Sequence, residues 1–356
     1  MSFLMIAISI VSAPIPFYNN GAMSSVFLPP LALTAGEPAG IAAEITVRAW
    51  LGRDRLPVPF YIVADADHIK ETAARLRLSV PIARITDPHQ TTMVFPSALP
   101  VLHQPLAVSV TPGVLEPANA PAVLASLQTA LAAVQGGTAS ALVTNPIHKG
   151  TLYAAGFSYD GHTEYLEAHT YTPLAVMMLA CPSLRVVPLT IHKSLRQAIE
   201  HVAPHRIIAT VRVMVSGLRE YWGIARPRIA VAGLNPHAGE GGTMGDEEIR
   251  CIVPALEALR EEGIDVQGPF AADGLFHEQA RGSYDAALCM YHDQALIPIK
   301  TLDFWGAVNI TLGLPIIRTS PDHGTALSLA AVGGARPNSL LAALTLAGEL
   351  ALKRVG

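Results

Sequence analysis

Three histidines stand in short polar segments, each just past an apolar run: Thr190-Ile-His192, Asn235-Pro-His-Ala-Gly-Glu-Gly-Gly242 and Tyr291-His-Asp-Gln294. Imidazole is a common ligand for divalent metals, and three such ligands leave coordination positions open for substrate oxygens. The separations, 45 residues from 192 to 237 and 55 from 237 to 292, are too long for a zinc finger. They suit a site that the fold assembles. A lone histidine past a strand is ordinarily a satisfied polar residue, whereas three at equivalent places argue for a shared cation. Asp273 and Asp293 are candidate carboxylates for orienting these imidazoles or moving a proton.

A second group is cationic. Lys300, Asn309 and Arg318 lie close in sequence among largely apolar neighbours. They read either as solvated charge or as a grip for a phosphate and a carboxylate. His162 and Thr163, in Asp160-Gly-His-Thr-Glu164, are compact donors for the same kind of anion, or else a surface histidine beside a helix N-cap. Thr34-Ala-Gly-Glu-Pro-Ala-Gly40 reads equally as a plain strand–helix turn and as a functional one. It is not GxGxxG, so the usual dinucleotide fingerprint is absent from it.

Strands must carry these segments. Apolar runs at 31–34, 60–63, 141–144, 176–179, 186–189, 229–234, 286–290 and 308–312 read as strands. Helical patterns cover 39–50, 68–76, 120–134, 206–221, 246–262, 324–331 and 338–352, and residues 80–118 read as short strands and loops. The alternation predicts an α/β protein with a substantially parallel sheet, whose ligands gather at the carboxyl ends of the strands.

Composition sets the outer limits. A chain of 356 residues, 51% hydrophobic and 15% charged, has ample core for two lobes. The formal net charge of −4 gives no basic footprint for nucleic acid. Three cysteines without a CxxC pattern fit a reducing compartment, and the cytoplasm is expected. Residues 3–11 are apolar and Val11-Ser-Ala13 loosely resembles a cleavage site, yet the first basic residue is Arg48. An export signal needs earlier positive charge, and the run is too short for a bilayer. Residues 1–23 therefore read as a leader or upstream extension, with Met23 an alternative start and no membrane partner.

Taken together the segments resemble the 4-hydroxythreonine-4-phosphate dehydrogenases of pyridoxine biosynthesis. The resemblance is carried by Gly36-Glu-Pro-Ala-Gly40, Asn145-Pro-Ile-His-Lys149, Gly161-His-Thr-Glu164, Leu234-Asn-Pro-His-Ala-Gly-Glu-Gly-Gly242, Met290-Tyr-His-Asp-Gln294, Val308-Asn-Ile-Thr-Leu-Gly-Leu-Pro315, Arg318-Thr-Ser and Asp322-His-Gly-Thr325. It implies a two-lobed fold like isocitrate and isopropylmalate dehydrogenases: a cofactor-side lobe of residues 24–155 plus 303–356, and a metal and dimer-interface lobe of 156–302. It implies a homodimer with a shared active site, with His192, His237 and His292 as ligands of one divalent ion (zinc, magnesium or cobalt). The ligand matching His292 is expected from the neighbouring subunit. His162, Thr163, Lys300, Asn309 and Arg318 match substrate contacts, and His323, Gly324 and Thr325 match a loop for NAD or NADP. The implied reaction is oxidation of 4-phosphooxy-L-threonine at C3, with decarboxylation to 3-amino-2-oxopropyl phosphate. Alternatives are a related dehydrogenase of another phosphorylated acid such as 4-phospho-D-threonate, a metal-dependent phosphatase, and a silent binding protein. The chain departs from the usual pattern at Ala35, at Ala42-Ala43 and at Ile191, without losing a proposed ligand.

Overall fold

The computed structural model describes residues 28–355, so the leader reading for residues 1–23 lies outside the described residues. Twelve strands form one sheet: β1 Leu31–Thr34, β2 Phe60–Ala64, β3 Ile82–Ile85, β4 Leu99–His103, β5 Ala141–Val143, β6 Val176–Cys181, β7 Leu184–Pro188, β8 Ile229–Ala232, β9 Val266–Phe270, β10 Ala286–Cys289, β11 Val308–Leu312 and β12 Arg318–Pro321. Their order is β3-β4-β2-β1-β5-β12-β11-β6-β7-β10-β8-β9. The α/β class is as expected.

The sheet is not uniformly parallel. Pairing is parallel from β3 to β12 and again from β7 to β9, but β12–β11, β11–β6 and β6–β7 are antiparallel. The reason is connection length. Parallel neighbours need a crossover, whereas β6 to β7 and β11 to β12 are joined by short loops that force reversal. Gly313 makes one of these reversals with φ +85, where an added Cβ would fall 2.5 Å from the Leu174 carbonyl oxygen.

Side chains alternate across this central strip. Register pairs Asn309 with Ser320 and Thr311 with Met177, so Arg318, Ser320, Asn309, Thr311 and Met177 share one face. The opposite face carries Met178, Ile310, Leu312 and Thr319. It is covered by the helices Asn338–Val355 and Pro204–Trp222: Thr319 donates to the Ala343 carbonyl at 2.8 Å, and Leu312 fills the space at Gly217. One face is therefore apolar and sealed, and the other carries the polar residues Arg318, Ser320, Asn309 and Thr311 at the site.

Several elements differ from the sequence reading. The strand β12 and the helix His292–Leu302 are not among the elements the sequence pattern predicts, because Arg318-Thr-Ser-Pro is polar and Pro298 interrupts the helical pattern. The helix expected over 246–262 opens with a wide π turn, Glu248–Ile252, before Val253–Glu261.

The turn after β1 needs its glycines. Gly36 has φ +70, and a Cβ there would lie 2.7 Å from both Asn145 Cβ and the Pro146 oxygen. Gly36→Ala should therefore lower stability by about 2–4 kcal/mol, from left-handed strain plus overpacking. Urea unfolding checks this, and an unchanged midpoint would contradict it.

Candidate functional site

The neighbouring strands β1, β5 and β12 end on the same side of the sheet, and the loops that follow them pack together. Glu37 N–H donates to the Pro146 oxygen at 2.8 Å and Ile41 N–H to the Thr325 oxygen at 3.0 Å. Gly40 permits the second contact, since a Cβ there would stand 2.7 Å from the Thr325 oxygen. Beyond the antiparallel strip, β7 and β10 deliver the His192 and His292 loops. Leu189 N–H donates to the Cys289 oxygen at 2.7 Å, and the Thr190 hydroxyl to the Met290 oxygen at 2.9 Å. Between these groups of loops lies a cavity of about 360 Å³, floored by the polar face of the central strip.

Arg318 dominates its electrostatics. The side chain is only 3% exposed, yet its donors reach neutral acceptors: Nη1 to the Thr311 hydroxyl at 2.9 Å and Nη2 to the Thr144 hydroxyl at 2.7 Å. Nε has no partner among the described residues. Burial lowers its pKa to about 10, against a smaller opposing pull from Glu164, so the group stays cationic at neutral pH. A buried cation held by hydroxyls and lining a cavity is built to receive an anion.

The neighbours suit the same ligand. His162 Nε2 and Asn309 Oδ1 are shielded and have no partner among the described residues, and both residues line the cavity. Burial first, then the Arg318 and Lys149 charges, push the His162 imidazole well below its usual range, which makes it neutral. Thr163 lines the cavity from the first turn of the helix His162–His169, whose preceding residue Gly161 provides no side-chain cap.

The three metal-candidate histidines do not meet within one chain. His192 and His292 line the cavity, while His237 is exposed and outside it. Among the described residues no three His, Cys, Asp or Glu side chains are grouped to hold an ion. The two cavity histidines do fit a cation. The His192 pKa is lowered by burial, with Lys149 and His292 adding to the effect and Glu164 and Asp160 opposing it, which favours the neutral, ligating ring. His292 Nδ1 is held 2.6 Å from Asp293 Oδ1, leaving Nε2 for a ligand. Asp273 is exposed and does not line the cavity.

The remaining expected residues sit at one rim. Lys300 is not itself lining. Its Nζ donates to the Asp322 backbone oxygen at 2.7 Å and pairs with the Asp322 carboxylate, so it braces the loop that leads to His323 and Gly324. His323 and Gly324 line the cavity, and Thr325 is the residue packed on Gly40.

Residues 56–347 match the family model described as pyridoxal phosphate biosynthetic protein PdxA. The chain belongs to the PdxA family. A relative from Bradyrhizobium diazoefficiens, named 4-hydroxythreonine-4-phosphate dehydrogenase, is 51% identical over 335 residues, 90% of this chain and 97% of its own. One of the same name from Methylorubrum extorquens is 50% identical over 330 residues, covering 90% and 94%. The crystal structure of 4-hydroxythreonine-4-phosphate dehydrogenase from Klebsiella pneumoniae superposes with a TM-score of 0.81 at 36% identity, covering 91% of this chain and 99% of that one.

Against this PdxA background, the cavity adds residues that sequence reasoning did not single out. Lys149 and Glu164 line it, and Thr144 and Thr311 hold Arg318. Lys149 and Glu164 had a signal, since each ends a polar segment beyond a strand or turn. The threonines had none, because they look like ordinary strand residues.

The neutral His162 has a consequence for pH. Its imidazole resists protonation when folded but takes a proton when unfolded, in the ordinary range near ~6.5. The unfolded state then binds more protons, so stability should fall as pH drops below that range and be insensitive to this group above it. Urea midpoints between pH 8 and 5.5 should fall more steeply for the wild type than for His162→Gln. Parallel curves would rule the assignment out.

Proposed function

We propose that the chain oxidises 4-phosphooxy-L-threonine at C3 with NAD+ or NADP+ and releases carbon dioxide, giving 3-amino-2-oxopropyl phosphate for pyridoxal phosphate biosynthesis. The observation that carries this reading is the buried, anion-ready guanidinium of Arg318 sharing one cavity with two candidate metal-ligating histidines. The names of the relatives at about half identity support the substrate.

The chain's own residues divide the work. Arg318 binds the substrate's phosphate, with the His162 ring nitrogen and Thr163 completing the grip. Lys149, on the cavity wall, is placed to attract the carboxylate, and Asn309 offers an acceptor to the ammonium or hydroxyl group. Fixing both ends of a short substrate orients C3 towards the loop of His323, Gly324 and Thr325, where the nicotinamide would lie. Asp293 holds the His292 ring through Nδ1. A divalent ion, when bound, supplies Lewis acidity to the C3 oxygen and to the carbonyl that replaces the alcohol. NAD+ or NADP+ held at that loop would supply the hydride acceptor for C3.

His192 and His292 line the cavity of one chain, so in this reading both come from the same subunit, in place of the expectation that His292 is the neighbour's. The third, His237, is exposed outside its own chain's cavity, and a second subunit would supply it. The lobes that form the cleft would be residues 24–155 with 303–356, and 156–302. The strand order supports this division, since strands from each set are contiguous in the sheet.

Purified protein given 4-phosphooxy-L-threonine, a divalent metal and either cofactor should produce NADH or NADPH and carbon dioxide in equal amounts. Release of inorganic phosphate without cofactor reduction would instead indicate a phosphatase, and reduction only with 4-phospho-D-threonate would reassign the substrate. Arg318→Met should lower kcat/KM by about a hundredfold, the cost of losing charge-assisted bonds to a phosphate. An unchanged value would remove Arg318 from the substrate site.

The shared ligand set predicts complementation. His192→Ala and His237→Ala should each be inactive, yet subunit exchange between them should restore about a quarter of wild-type activity, because half of the dimers become mixed and each mixed dimer carries one intact site of its two. Continued inactivity after demonstrated exchange would contradict the shared site.

A further inference from the structure

The turn that carries His237 is left-handed. His237, Ala238, Gly239, Glu240 and Gly241 have φ of 53, 52, 77, 41 and 67, and Gly242 continues at 98. Three of these residues bear side chains, and each disfavours that region by roughly 1–2 kcal/mol. Such a run persists only where its surroundings impose it.

One buried carboxylate anchors the segment that leads into this turn and packs against it at Gly239. Glu248 is 3% exposed and sits at the start of the π turn. Its Oε1 accepts from the backbone N–H groups of Leu234 and Asn235, both at 2.7 Å, and its Oε2 accepts from Asn235 Nδ2 at 2.9 Å. The fit depends on missing side chains: a Cβ on Gly233 would lie 3.1 Å from Oε1, and one on Gly239 would lie 2.7 Å from Oε2. The carboxylate thus wedges between the end of β8 and the turn.

A buried polar chain connects this wedge to the other two histidine loops. Gln294 Nε2 donates to the Gly233 oxygen at 2.7 Å, and its Oε1 accepts from Met290 N–H at 2.7 Å. Thr190 in turn donates to the Met290 oxygen. The segments bearing His192, His292 and His237 are therefore registered to one another through Thr190, Gln294 and Glu248.

We propose that Glu248 is a positioning residue: it holds the left-handed turn that presents His237, and so sets the protein's affinity for its divalent ion. The proposal rests on the reading of His237 as a metal ligand. Glu248 touches neither substrate nor metal in this account. It acts by fixing the backbone from which His237 projects. Replacing the carboxylate with a carboxamide keeps the volume but turns one acceptor into a donor facing Asn235 Nδ2, which loosens the turn.

The test is a thermodynamic cycle on zinc affinity, read by competition with a chromogenic chelator on the purified full-length protein. Glu248→Gln should weaken zinc binding by about 10–100-fold, as disruption of ligand-orienting groups does. In a His237→Ala background the same substitution should have little further effect, because its route to the metal is gone. Asn235→Ala, which removes the side-chain bonds to Glu248 and Glu247 but keeps both backbone bonds to Glu248, provides the same cycle should Glu248→Gln fold poorly. Equal losses in both backgrounds, or wild-type affinity for the Glu248→Gln and Asn235→Ala proteins, would overturn the positioning role while leaving His237 as a ligand. Unchanged zinc affinity in His237→Ala would instead sink the ligand reading itself, and the proposal with it.

Discussion

A guanidinium buried without a carboxylate partner is the constraint around which this site is organised. Taking Arg318 out of water costs several kcal/mol, and two threonine hydroxyls offset only part of that. The cost is tolerated because the rest of the sheet is well sealed: the reverse face of the same strands is apolar and covered by two long helices. The remaining deficit is felt by whatever enters the cavity. Burial together with the Arg318 and Lys149 charges suppresses protonation of His162, leaving a neutral ring that can donate to an anion without adding a second fixed charge.

The antiparallel strip makes this possible. In a wholly parallel sheet both faces would be covered by crossover helices, and the strands would be apolar on both sides. Reversing β11 and β6 at the centre frees one face of the strip from crossover helices. Period-two alternation can then place Arg318, Asn309 and Thr311 on it, while Thr319, Ile310 and Leu312 go to the core. The histidine loops enter from the parallel pairs beyond, at the carboxyl ends of β7, β10 and β8. The sheet thus brings the buried Arg318 guanidinium and the His192 and His292 side chains to one cavity.

Much of this was legible in the residues. Apolar runs marked most strands, and the polar segments past them marked the site, including His162, His192, Asn309 and Arg318. What remained hidden has physical causes. β12 reads as a loop because its inward residues are the polar ones that make the cavity. The helix from His292 is masked by Pro298. Thr144 and Thr311 matter only through Arg318, a contact set by register and not by local sequence. The His237 segment announces a glycine-rich turn, but spacing cannot show that the turn is left-handed. Nor can it show that its imidazole lies outside the cavity of its own chain. Lys300 reads in sequence as solvated charge or as an anion contact, and only the fold pairs it with Asp322.

The second large concavity offers a direct comparison. It lies near Arg219, Arg226 and Arg260, with a volume of about 660 Å³, and it has more arginines than the proposed site. Those arginines are exposed, whereas Arg318 is buried with a donor unfilled. Where a phosphate ester settles therefore separates the two cavities. In a crystal structure with 4-phosphooxy-L-threonine bound, the phosphorus should lie within hydrogen-bonding reach of Arg318 and His162. A phosphate seated among Arg219, Arg226 and Arg260 instead, with the Arg318 cavity holding only water, would contradict it.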